Sequence, residues 1–424
     1  MAHEGTLSVD SSERWVTHRI IKWSMYGINA FPILDFALRH APHLHPIGSI
    51  WDKVMFLVLL VMAIVRYLAG YRPKWFMWKK IGLWYILFCV ALTVIGLYQP
   101  TIAVEGLRFD IFYLLFAYLI PFVVQPEDAE SFLHVGAIFA ILIAMHGIYQ
   151  FIMKAPYPAN WNDTGEVVRS RVYSVFGSPN ELADYMDLMT PIVLGLGIYA
   201  EQAWRRWTYG IGAFLCAIAL VLSYTRGAWL GLAAAAFLVG ALCDRRLLLA
   251  VVVVGVLSYF LPPVRHRFSD LFTHTYFVKA AAGGRIERWL TAFNTMAPNP
   301  LVGTGIGRYG GAVATHLGIQ YADGYYFKLL GESGLVGLTL FLSMQISFVR
   351  DLMRLARPLM RGKTHYVFLG AFVGLIAVLV HNVTEDAFEF GPSVVSYYTY
   401  GTLFFLWAQH LKTRQESSPS NKQE

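Results

Sequence analysis

The sequence is poor in charge. Only 14% of its 424 residues are Asp, Glu, Lys or Arg, against about 25% in soluble domains. Together with a hydrophobic share of 56%, that shortage excludes an ordinary soluble globular protein, and the same numbers exclude disorder and collagen-like repeats. Cysteine is scarcer still. Cys89, Cys216 and Cys243 all lie within or at the end of apolar blocks, with no CxxC spacing, so neither a disulfide framework nor a cysteine metal site is expected. The opening MAHEGTLSVDSSERW has acids, no early basic cluster and no apolar run before residue 20, and a cleaved signal peptide is therefore not expected. No internal repeat of fixed period is visible. What abounds is apolar runs of bilayer length and aromatic residues, 15% of the chain with 12 Trp and 24 Tyr, as suits many crossings whose ends sit at lipid headgroups.

The apolar blocks predict an all-α polytopic integral membrane protein with about twelve transmembrane helices, near 21–38, 54–70, 81–98, 109–125, 132–153, 182–200, 207–224, 227–243, 247–262, 329–349, 366–384 and 393–411. Several spans are charged: the first carries Lys22 and Asp35, the sixth Asp184 and Asp187, and the tenth begins with Lys328 and Glu332. Sorting Lys and Arg by side puts nineteen of them in short loops and tails of one face, where positive-inside bias operates. Both termini are therefore expected to be cytoplasmic. On this reading the net charge of +7 reflects topology, and no nucleic-acid partner is needed to explain it. The expected organisation is a cytoplasmic tail (1–20), nine helices (21–262) with an outer loop at 154–181, a large outer loop at 263–328, three helices (329–411) and a cytoplasmic tail (412–424).

The outer face carries the chemistry. The longest loop holds Arg265, His266, Arg267, His274, Lys279, Arg285, Arg288 and Arg308 on the side that positive-inside bias disfavours. In GGRIERW the two glycines punctuate a helix start, and Arg285 and Arg288 lie three apart on one face. Paired guanidiniums suit a phosphate or pyrophosphate; lipid headgroups or Glu287 are the alternative partners. Gly303, Gly305 and Gly307 form a GxGxG run without a preceding strand, a turn that lets backbone approach a ligand or another helix. The shorter loop supplies Asp163, Glu166, Arg169 and Arg171. Asn180 is the expected cap of the next helix, followed by Glu181, Asp184 and Asp187 along one face. Such acids either face a cavity or partner or are solvated at a helix start. Arg226 lies in the short outer turn SYTRGAW. No His, Asp or Glu cluster has metal-ligand spacing.

Four segments resemble the bacterial O-antigen ligase and Wzy-type polymerase superfamily, membrane glycosyltransferases of GT-C type, over roughly residues 170–340. FGSPNELADYMDLMTP is similar to its Phe-x-x-Pro-Asn-x-x-Ala segment and SYTRGAWLGL to its Ser-Arg-Gly-x-x-Leu turn. GGRIERWLTAFNTMAPNPLVGTGIGRYG resembles its Gly-Arg-x-x-x-Trp and Gly-rich segment, and YADGYYFKLLGESGLVGL its His-Asn-x-Tyr-Leu...Glu-x-Gly segment. Where the family has His and a polar residue, this chain has Asp323 and Gly324. The resemblance implies transfer of a glycan from an undecaprenyl-pyrophosphate carrier to an acceptor hydroxyl at the periplasmic face of the inner membrane, in lipopolysaccharide biosynthesis. Arg171, Arg226, Arg285 and Arg288 are then the expected pyrophosphate ligands, because fixed cations stabilise charge where it develops. Asp323 or His316 is the expected proton acceptor, with Asn180, Glu181, Arg265 and Glu332 as support. Arginines can stand in for a metal's charge, so no metal or other cofactor is expected. Lipid A-core is the acceptor if the chain is a ligase and a second carrier-linked glycan if it is a polymerase. A lipid-linked oligosaccharide transporter is the reading from another class, although transporters place binding groups at mid-membrane in repeated halves.

Overall fold

The computed structural model describes residues 11–158, 170–260 and 283–417, together with positions 265, 269, 274 and 278. Every regular element among the described residues is helical. In chain order they are α1 (Ser11–Asn29), α2 (Phe31–His40), α3 (His45–Gly48), α4 (Trp51–Leu68), α5 (Met77–Ile95), α6 (Pro100–Ile111), α7 (Leu114–Val123), α8 (Ala129–Ile152), α9 (Pro179–Tyr199), α10 (Ala203–Leu222), α11 (Arg226–Cys243), α12 (Arg245–Tyr259), α13 (Arg285–Met296), α14 (Tyr325–Ala356), α15 (Gly362–His381) and α16 (Gly391–Ser417). Asp163, Glu166, Arg169, His266, Arg267 and Lys279 lie outside the described residues.

Among the described residues six helical stretches are long and apolar enough to cross a membrane: Met77–Tyr98, Pro126–Ile152, Ala203–Leu222, Arg226–Cys243, Tyr325–Leu359 and Gly362–His381. The pair α6 and α7, bent by 49°, makes up to seven. The other spans read from the sequence correspond to helices that are broken, short or polar. The one near 21–38 divides at the α1–α2 junction, where Pro32 enters the first turn of α2. Three acids lie in the first half of α9, and α12 has 15 residues. α16 is rich in Ser, Thr and Tyr. Exposed apolar stripes such as Val54, Leu57, Val61 and Ile64 on α4 recur at helical spacing, the pattern expected of a face turned to lipid.

The bundle centre is built by α15, which packs against both α9 and α11. A Cβ at Gly370 or Gly374 would collide with the carbonyl oxygens of Pro191 and Leu188 on α9. Glycines four apart thus let two backbones touch, the usual device for close helix pairs in membranes. A second backbone device shapes α14. Gly334 sits at φ 64° and breaks the helix, and residues 300–305 occupy the break. Thr304 and Gly305 donate their amides to the carbonyls of Gly331 (2.9 Å) and Glu332 (2.8 Å), while Leu335 and Val336 donate to Pro300 (2.9 Å) and Leu301 (3.2 Å). The Gly-rich run therefore approaches another helix, and its strained turns hold the first half of α14 in place.

Candidate active site

At the end of the bundle where α13 and α14 begin, two arginines converge on one carboxylate. Gly284 is the residue before α13, so Arg285 and Arg288 share a face one turn apart. Arg288 Nη1 donates to Asp323 Oδ2 at 2.7 Å, and Arg285 Nε lies 3.8 Å from the same oxygen. All three side chains keep about a third of their surface open, at 35%, 28% and 30% for Arg285, Arg288 and Asp323. Asp323 adopts a left-handed backbone, φ 49°, which turns its side chain from α14 toward the arginines; Gly324 takes the cap position of that helix. The Trp289 indole donates to the Asp323 carbonyl at 3.2 Å and its ring stacks on Phe327 at 4.7 Å. Tyr309 donates to the Arg288 carbonyl at 2.6 Å. The mouth is open, but its backbone is fixed.

Behind the mouth stands Glu385, in the connection between α15 and α16. Asn180 Nδ2 donates to its Oε2 at 2.5 Å, and the Asn180 carbonyl oxygen accepts from Arg171 Nη2 (3.3 Å) and Thr225 Oγ1 (3.1 Å). Arg171 Nε also donates to the Ser223 carbonyl at 3.1 Å. Burial pushes the Glu385 carboxyl up to about 7, with the Asp184 charge adding to the rise and the Arg285 and His381 charges opposing it. Burial also holds Asp386 well above the usual carboxylate range, with Glu385 and Glu389 adding to it, and its Oδ1 accepts the Gly324 amide at 3.2 Å.

Deeper still, one stripe of α9 continues the polar column. Asn180, Asp184 and Asp187 occupy positions i, i+4 and i+7, hence one face. His381 Nδ1 lies 2.6 Å from Asp184 Oδ1 and 3.5 Å from Asp187 Oδ2, all three side chains being buried. A separate cluster sits beneath the Gly-rich segment. Lys328 Nζ lies 2.5 Å from Asp110 Oδ1 and 3.4 Å from Glu332 Oε2, and pairs with Glu389. Glu332 and Glu389 accept the amides of Tyr309 (3.3 Å) and Ala312 (3.0 Å). Lysine and acids thereby tie α6, α14, the Gly-rich segment and the 387–389 turn together.

The structure brings Arg285, Arg288 and Asp323 together, and places Asn180 against Glu385 with Arg171 behind Asn180. Arg226 opens α11 directly after Thr225, whose hydroxyl bonds Asn180. His316 is exposed on the 314–317 turn, and Arg265 is exposed. Asn180 is not the cap of α9; Ser178 is, accepting the Glu181 amide at 3.2 Å, because Pro179 fills the first helical position and moves the boundary back. Glu181 turns toward the Gly177 amide (3.4 Å). Glu332 belongs to the Lys328 cluster and is buried. Sequence reasoning missed Glu385, Asp386 and His381. The signal for them was three acids in the short outer segment HNVTEDAFEFGP.

Among the described residues the fold is helical, with membrane-length apolar helices and paired arginines at the part-exposed end of a polar column. Residues 211–342, about a third of the chain, match the family model described as O-antigen ligase, which supports the O-antigen ligase and polymerase superfamily for that stretch. The matched span holds Arg226, Arg265, Arg285, Arg288, His316, Asp323 and Glu332; Arg171, Asn180 and Glu385 lie outside it. No curated protein matches the chain.

Proposed function

We propose that the chain is an O-antigen ligase-like glycosyltransferase. It moves a glycan from undecaprenyl pyrophosphate to a hydroxyl of lipid A-core at the periplasmic face of the bacterial inner membrane, with both termini in the cytoplasm and the loops 154–181 and 263–328 outside. The observation that carries this reading is the convergence of Arg285 and Arg288 on the single carboxylate of Asp323 at an open mouth. Two guanidiniums already aimed at one anion suit a pyrophosphate, and Asp323 serves as their counter-ion until the donor arrives.

In the reaction the acceptor oxygen forms a bond to the anomeric carbon, the bond from that carbon to the pyrophosphate oxygen breaks, and the electron pair leaves with pyrophosphate. Arg285 and Arg288, with Arg171 and Arg226 beyond them, offset the growing charge. The acceptor proton passes to a carboxylate. Glu385 fits that role, since a base works best with its pKa near the operating pH and burial sets Glu385 at about 7. Asp323 and His316 are the other candidates, and the engagement of Asp323 with Arg288 weakens it as a base. Wzy-type polymerisation differs only in its acceptor. The test is one assay with purified protein, undecaprenyl-pyrophosphate glycan and both acceptors. Transfer onto lipid A-core supports the ligase, elongation of carrier-linked glycan supports the polymerase, and bound but unreacted donor rejects the enzyme.

A further inference from the structure

At the end of the bundle remote from Arg288, a buried lysine has no acid to match it. Lys79, in the first turn of α5, is 3% exposed. Among the described residues no carboxylate lies within 4 Å of its Nζ, in contrast to Lys328. Asp351, beside the same helix start, accepts the Trp78 amide at 3.0 Å and lies 3.8 Å from Arg350. The contacts of the Lys79 ammonium are with rings, 5.5 Å from the centre of Trp78 and 5.8 Å from that of Tyr118. An ammonium taken out of water without a counter-charge is strongly disfavoured, so a missing anion is the natural complement.

The surroundings supply a place for one. Lys79 lines a narrow cleft together with Lys74, Thr402, Gln409 and Phe405. Thr402 is 1% exposed and its hydroxyl has no hydrogen-bond partner among the described residues. Two ammoniums, a hydroxyl and an amide make a set of cations and donors with no acid among the lining residues. That set suits a tetrahedral oxyanion. Trp75, 52% exposed beside the cleft, is the kind of residue that rests at headgroup level, and basic clefts between membrane helices take anionic headgroups. We infer that this cleft binds the phosphate of an anionic phospholipid, with Lys79 and Lys74 as its counter-charges and Thr402 and Gln409 as donors.

The full-length protein in detergent, titrated separately with phosphatidylglycerol, phosphatidylcholine and inorganic phosphate, tests this by native mass spectrometry and melting temperature. Phosphatidylglycerol is expected to bind and raise the melting temperature while phosphatidylcholine does not, and Lys79→Met is expected to weaken the binding. Lys74→Gln, at an exposed position, keeps the test valid if Lys79→Met does not fold, and is expected to weaken binding about fivefold, the weight of one basic side chain at an anionic surface. Lys363→Gln, exposed on α15, is expected to change nothing. Equal binding of both lipids, unchanged affinity in Lys74→Gln, or an equal loss in Lys363→Gln overturns the site. An equal shift with inorganic phosphate alone overturns the assignment to a lipid.

Discussion

Two clusters of cation and carboxylate stand close in the chain, and water separates their uses. Around Asp323 the arginines are about a third exposed. Around Lys328 an ammonium and three carboxylates are all but sealed. An ion pair near water contributes about 0–1 kcal/mol, so its cations change partner at little cost. A buried pair that loses one member costs about 3–5 kcal/mol. The open cluster is therefore built to exchange an internal carboxylate for an external anion, whereas the sealed one is built to hold backbone.

Breaking the sealed cluster has the largest expected effect. Lys328→Met leaves Asp110, Glu332 and Glu389 facing one another in a dry interior, and stability is expected to fall by about 3–5 kcal/mol, seen as a lower melting temperature and reduced yield; an unchanged melting curve would mean the cluster holds nothing. Glu385→Gln is expected to lower turnover by about 10²–10⁴-fold. A base must be ionised to accept a proton, so wild-type turnover should rise with pH through about 7 and then level, and that limb should vanish in the variant. A limb that persists would return the role to another group. Arg288→Ala should cost about 10²–10³-fold in turnover while leaving the melting temperature nearly unchanged, the reverse of the Lys328 result. The smallest effect is expected from Asp323→Asn: with its internal competitor neutralised, donor binding should tighten and turnover should change only a few-fold. A collapse of turnover would instead make Asp323 the base.

The arginine pair and Asp323 were legible because they lie on short motifs whose spacing fixes a helix face. Helical, membrane-spanning architecture was legible from apolar runs. Asn180 and Glu385, 205 positions apart, were not, since their hydrogen bond crosses between helices that no local pattern connects. His381 was hidden for the same reason, although Asp184 and Asp187 already advertised a buried partner. The span count diverged where a hydropathy window averages over backbone events: the division after Asn29 and the bend between α6 and α7.

The break at Gly334 bears on how the chain enters the membrane. Amides and carbonyls freed by the break find no partner in lipid, where each unsatisfied group costs several kcal/mol. Their partners in residues 300–305 leave the ribosome first. The plug thus exists before the hole, and α14 can be stitched shut as it emerges. A permuted chain with the order of these segments reversed would have to expose the open helix to lipid while it waits.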